Sequence, residues 1–170
     1  LALGPRLKAY FVENGIMRAG EPRAIVALFK TLGVRVALVD AKAQFFSALE
    51  GLSDPEQKRE AITQTFYKTV FGPLVWESGA RFLLQGTNYT DVEETVAGIK
   101  RQHNILAQIG IDPLKSYGYK VLEPLATLRK DGVREVARAV GFPPSVAERK
   151  PFPGPALATR IVGEVTAERL

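Results

Sequence analysis

The sequence predicts an α/β domain built on a parallel sheet, with helices on both faces. Two observations carry this expectation. Short β-branched or aromatic runs alternate with longer segments whose apolar residues recur at helical spacing. Each short run also ends in polar or glycine residues, as a strand does where it passes into a loop. The 170 residues suffice for one domain with a core, and no internal repeat interrupts the alternation.

The first expected strand, residues 10–12, opens into the polar turn Glu13-Asn14-Gly15. Helical spacing then runs over 21–32 and stops at Gly33, a residue suited to helix C-termini. Residues 34–39 form the second strand, ending at Asp40. Ser53-Asp54-Pro55-Glu56 starts a helix, with a capping side chain, proline in the first turn and an acid at the positive end of the dipole. That helix should reach about Phe71, before Gly72-Pro73. Residues 81–84 are the third strand, ending at Gln85-Gly86-Thr87, and 119–122 the fourth, ending at Glu123-Pro124. A last helix covers 131–140 and closes at Gly141. All four strands read as buried, joined by right-handed crossovers.

Composition narrows the chemistry. The chain has no cysteine and a single histidine, His103, which exclude a disulfide framework, a thiolate metal site, a Cys nucleophile and a His-rich metal cluster. No apolar run approaches the roughly 18 residues of a membrane span. Arg6 and Lys8 interrupt the short apolar start, which does not read as a signal peptide; a cytoplasmic protein is expected. The net charge of +5 is dispersed among acids rather than clustered, so nucleic acid is not an expected partner, nor is a membrane. Neither a Ser-His-Asp arrangement nor a GxxxxGK[ST] or GxGxxG phosphate loop occurs.

Open parallel sheets bind ligands beyond the carboxyl ends of their strands. That geometry nominates Glu13, Asn14, Asp40, Gln85, Gly86, Thr87 and Glu123. In QGTNYTDVEET (85–95) the glycine lets a ligand approach the backbone. Asp91 and Glu94, three apart, share a face of any helical turn and could hold Mg²⁺. Helix capping, with Thr90 or Asp91 as N-cap, explains the same residues. KRQHN (100–104) gathers cations and hydrogen-bonding side chains that could grip a polyphosphate, or simply form a solvated surface. Lys130 and Asp131 open a helix, with Lys130 a candidate nucleotide contact and Asp131 a cap or metal partner. Prolines at 151, 153 and 155 make KPFPGP (150–155) a rigid extended loop, flanked by Arg149 and Arg160.

Taken together, these stretches resemble the GMP synthetase family. The matching segments are FVENGIMRAGE (11–21), FFSALEGLSDPEQKREAITQTF (45–66), FLLQGTNYTDVEET (82–95), IKRQHN (99–104), LEPLATLRKDGVREVARAVGFP (122–143) and RKPFPGPALATRIVGEVT (149–166), in the family's order. The resemblance implies a Rossmann-like fold of the adenine nucleotide α-hydrolase type, that of an N-type ATP pyrophosphatase. It implies ATP and Mg²⁺ as cofactors and XMP as the acceptor, adenylated at O2 and then aminated to GMP with release of AMP and pyrophosphate. A glutaminase domain or subunit would supply ammonia, and the intact protein would be a homodimer. By motif position Asp91 and Glu94 would stand at the reacting centre, Asp91 as the metal ligand. Lys100 and His103 would belong to a catalytic lid, and Lys130 and Asp131 would face phosphates. Glu13, Asn14, Gln85, Gly86 and Thr87 would bind ATP, while Asn104, Arg149, Pro153, Gly154 and Arg160 would bind the acceptor.

On this reading, 1–150 is a partial ATP-pyrophosphatase domain and 151–170 a loop and linker toward a C-terminal dimerisation domain. The family's SGGVDS phosphate loop would precede residue 1, so the piece alone is expected to be inactive. Within the motifs, Glu13 stands for the family's usual Asp, Gln102 for the first of two lid histidines, and Gly132 for the glutamate of KDEVR. Two alternatives stay open. One is a paralogous ATP pyrophosphatase activating a tRNA base or sulfur acceptor; the other is a nucleotide-binding domain without turnover.

Overall fold

AYFVE sets two aromatic residues and a β-branched valine in a row with no helix-capping residue, and these residues form strand β1 (Ala9–Glu13). A computed structural model describes residues 3–96, 112, 114–115, 118–149 and 157–170, with backbone alone for 94–96. The chain divides into two units: Leu1–Ser78 with Pro153–Leu170, and Gly79–Phe152.

In the first unit β1 pairs in parallel with β2 (Val36–Asp40), in a register running from Ala9↔Val36 to Glu13↔Asp40. The two strand-end acids therefore lie side by side. Helix α1 (Glu21–Thr31) connects the strands and stops at Leu32, with Gly33 at φ 73°, as the spacing predicts. A helix that the sequence reading did not place, α2 (Lys42–Leu49), follows β2 and buries Phe45 and Leu49. Helix α3 (Pro55–Gln64) begins as expected at Asp54, whose Oδ1 accepts from the backbone N–H groups of Glu56 and Gln57 at 3.0 and 2.9 Å.

The expected stop before Gly72-Pro73 is overturned. The helix passes into a π-helical stretch, Thr65–Phe71, and then into α4 (Gly72–Ser78). There the Gly72 N–H reaches Tyr67 O, five residues back. Proline has no N–H to donate, and the wider π turn re-phases the ladder so the axis continues past it. Phe66 stacks on Phe71 with centroids 5.7 Å apart, and Tyr67 meets both rings edge-on. The core of this unit is Ile16, Phe45, Leu49, Ile62, Val70, Val75, Ala158 and Val165.

In the second unit β3 (Phe82–Leu84) pairs in parallel with β4 (Lys120–Leu122). Helix α5 (Tyr89–Val96) follows β3, and α6 (Lys130–Ala139) follows β4, its exit closed by Gly141 at φ 87°. A short helix, α7 (Pro144–Ala147), is tied back through Glu148 to Arg134 and Arg138. Tyr119 is fully buried.

Parallel pairing follows the expectation; strand burial does not. Leu38, Phe82, Leu84 and Leu122 are 43%, 52%, 48% and 43% exposed. Among the described residues each sheet has two strands, so every strand is an edge with little sheet interior to share. None of the described helices is long and apolar enough to cross a membrane.

Candidate functional site

In the first unit the polar residues gather where β1 and β2 end. The Asn14 side chain is buried and its Oδ1 accepts from Ile16 N–H at 3.1 Å, turning the chain away from the strand. Gly15 sits at φ 76°, and a Cβ there would lie 2.7 Å from Phe46 Cε2, so only glycine fits. Lys42 Nζ bridges the paired acids, 3.2 Å from Glu13 Oε1 and 3.1 Å from Asp40 Oδ2. The Lys42 backbone N–H also donates to Asp40 Oδ1 at 3.2 Å. That backbone bond, then the ammonium, hold Asp40 below its usual carboxylate range. Asp40 first and Glu13 second raise the Lys42 ammonium. Sequence reasoning missed Lys42, although a cation two residues beyond a strand-terminal Asp was signal enough.

In the second unit the ends of β3 and β4 are joined by a hydrogen bond, with Thr87 Oγ1 donating to Glu123 Oε1 at 2.7 Å. Thr87 is fully buried. Both polar atoms of the Gln85 side-chain amide are buried and have no hydrogen-bond partner among the described residues. Orphaned buried amides are rare because each costs its desolvation. The amide lies at the carboxyl end of β3, directly after Leu84. A Cβ added at Gly86 would meet nothing within 4 Å, so the backbone there is open to close approach.

The start of α5 is a reciprocal cap. Asn88 Oδ1 accepts from Thr90 N–H at 3.0 Å and Asp91 N–H at 3.4 Å, while Asn88 N–H donates to Asp91 Oδ2 at 2.9 Å. The N-cap is thus Asn88, correcting the expectation of Thr90 or Asp91. The Asn88 side chain reaches forward to the first-turn N–H groups, and the Asp91 carboxylate reaches back to the Asn88 backbone N–H. Asp91 and Glu94 do lie on one helix. Tyr89 N–H donates to Leu128 O at 2.9 Å, tying this start to the loop before α6. Arg129, also missed from sequence, sits 2.8 Å from Glu93 Oε1 and stacks over the Tyr89 ring at 5.1 Å.

Lys130 and Asp131 are exposed in the first turn of α6. Asp131 does not cap that helix: Arg129 occupies the N-cap position with no side-chain cap bond. Arg149 is exposed after α7, and Arg160 is exposed in a 3₁₀ turn, Ala158–Arg160, of the first unit. Lys100, His103, Asn104, Pro153 and Gly154 lie outside the described residues, as does the Glu94 side chain. Among the described residues no group of three or more His, Cys, Asp or Glu side chains converges.

The fold and the polar strand ends define an α/β protein of the kind that binds its ligands beyond the carboxyl ends of parallel strands. No protein-family model matches the chain. It is 49% identical over 170 residues to a glutamine-hydrolyzing GMP synthase subunit of Archaeoglobus fulgidus, covering 99% of this chain and 54% of that protein. Proteins of the same name from Methanoregula boonei and Sulfurisphaera tokodaii are 47% and 43% identical, again over 99% of this chain but 53% and 45% of their own. By sequence, this chain is similar to these GMP synthase subunits along nearly its whole length, and its fold is α/β with parallel strand pairs. It spans about half the length of the curated relatives it matches.

Proposed function

We propose that the chain is the ATP-pyrophosphatase part of a GMP synthase. The observation carrying this reading is 43–49% identity, along nearly the whole chain, to proteins of that name. In the proposed reaction, XMP O2 attacks the α-phosphorus of ATP and the bond to the β-phosphate oxygen breaks, releasing pyrophosphate. Ammonia from a glutaminase partner then attacks C2 of the adenylated base; the C2–O2 bond breaks, AMP leaves with that oxygen, and loss of a proton leaves GMP. Mg²⁺ would neutralise charge on the pyrophosphate leaving group, with Asp91 its protein ligand and Glu94 alongside on α5.

Within this reading the Gln85 amide, the open backbone at Gly86 and the neighbouring Thr87 bind ATP in the second unit. Glu13 and Asn14 take that role in the first, where the Glu13 carboxylate can accept from ribose hydroxyls. Lys130 and Asp131 face phosphates, Lys100 and His103 serve a lid, and Arg149, Arg160, Asn104, Pro153 and Gly154 receive the acceptor nucleotide. Homodimerisation and a cytoplasmic location belong to the same proposal.

The test is AMP formation by the native protein with ATP, Mg²⁺ and ammonium, with and without XMP. XMP-dependent AMP with equimolar GMP is the expected result. AMP that ignores XMP would point to another acceptor, and no AMP at all to a domain without turnover.

A further inference from the structure

Lys58, on α3, is fully buried, yet no carboxylate pairs with it among the described residues. Its ammonium instead donates to two backbone carbonyls, Ile161 O at 2.7 Å and Gly163 O at 2.6 Å. The alternate carbonyls of the same segment are taken by Arg169. Arg169 Nη2 donates to Val162 O at 2.8 Å and Nη1 to Glu164 O at 2.7 Å. Glu164 is held in turn, its Oε1 accepting from Gly51 N–H at 2.8 Å. Gly163 makes this possible: its φ is 84°, and a Cβ there would lie 3.3 Å from Arg169 Nη1.

Four successive carbonyls are therefore gripped by two cations. A buried ammonium without a counter-ion is an expensive way to stabilise a fold, so its return is to be sought in position. Directly before the clamped segment lies the turn Ala158–Arg160, with Ala158 fully buried and Leu157 N–H bonded to Ile16 O at 3.2 Å. Arg160 projects from that anchored turn, exposed and with no side-chain partner among the described residues.

We propose that Lys58 is a positioning residue of the acceptor-nucleotide site: with Arg169 it clamps residues 161–164 and so holds the turn that presents Arg160 to an anionic group of the acceptor. This role rests on the functional reading above. A rigid mount lowers the ordering cost of each acceptor bound, so its loss should appear in acceptor binding rather than in ATP binding.

The experiment compares Lys58→Met, Lys58→Arg and the exposed-site variant Arg169→Gln in the native protein. KM values for XMP and for ATP are measured, together with amide hydrogen exchange over 157–165. Lys58→Met should raise the XMP KM by about tenfold or more with the ATP KM within about twofold, and should speed exchange at 161–164. Lys58→Arg, which keeps the cation, should recover much of the loss; Arg169→Gln should shift the XMP KM in the same direction by less. An unchanged XMP KM, or a parallel rise in both KM values, overturns the proposal. If Lys58→Met fails to fold, Arg169→Gln decides by the same criterion. Failure of the functional reading shows differently, as absent XMP dependence in the unsubstituted protein, and would remove this role with it.

Discussion

Asp91 holds two positions at once, as the acid of the α5 cap and as the proposed metal ligand, and substitution can separate them. Asp91→Ala removes both, and loss of the cap alone should cost about 1 kcal/mol of stability. Asp91→Asn keeps an oxygen that can accept from Asn88 N–H but removes the charge. If the carboxylate holds Mg²⁺, both variants should lose AMP formation by about 100-fold or more, while only the alanine variant unfolds earlier in urea. An asparagine variant with normal turnover would reduce Asp91 to a cap. Gln85 invites the opposite experiment. Replacing its orphaned amide with Gln85→Leu should leave the ligand-free protein equally or more stable, by up to about 1 kcal/mol, while the ATP KM rises about tenfold. Loss of stability without a change in ATP KM would mean that the amide serves the fold.

At the scale of elements, the π-helical stretch carries a titration that can be read directly. Tyr67 is buried within it, and burial pushes its phenol up to about 12 from the ordinary 10. The unfolded chain therefore gives up this proton first, and the native state loses stability as pH rises from about 10 toward about 12. Absorbance titration near 295 nm should show a phenol ionising about two units late, and Tyr67→Phe should remove that component alone. This stretch also marks where the sequence stopped being legible. The Asp54 cap, the Gly33 and Gly141 exits and the polar strand ends could be read because each depends on a few adjacent residues. Gly72-Pro73 looked like a terminator because a π turn that absorbs a proline depends on packing among Phe66, Tyr67 and Phe71, which no local pattern encodes. Helix α2 was passed over because it is short, and its Phe45 and Leu49 are recognised as a buried face only once the core exists. Of the candidate site, the strand-end residues were legible; the Lys42 bridge and the Asn88 cap arise from register and turn geometry.

Across the whole molecule the division into units was not legible at all. Residues 151–170 read in sequence as loop and linker toward a C-terminal dimerisation domain; in the structure Ala158 and Val165 are buried in the unit that begins at the N-terminus. The second unit is thus an insertion within the first. The dispersed positive charge has a local explanation as well, since Lys58 and Arg169 are occupied with backbone carbonyls rather than arrayed for a polyanion. The Lys58 contact spans 103 residues of chain, and this sets an order on the ribosome. At roughly 5–20 residues per second, the ammonium waits about 5–20 seconds for its acceptors to be made. In that interval the inserted unit is completed. The unit that starts first must finish last, and nascent chains halted between the two should show the inserted unit protected from protease before α3 is.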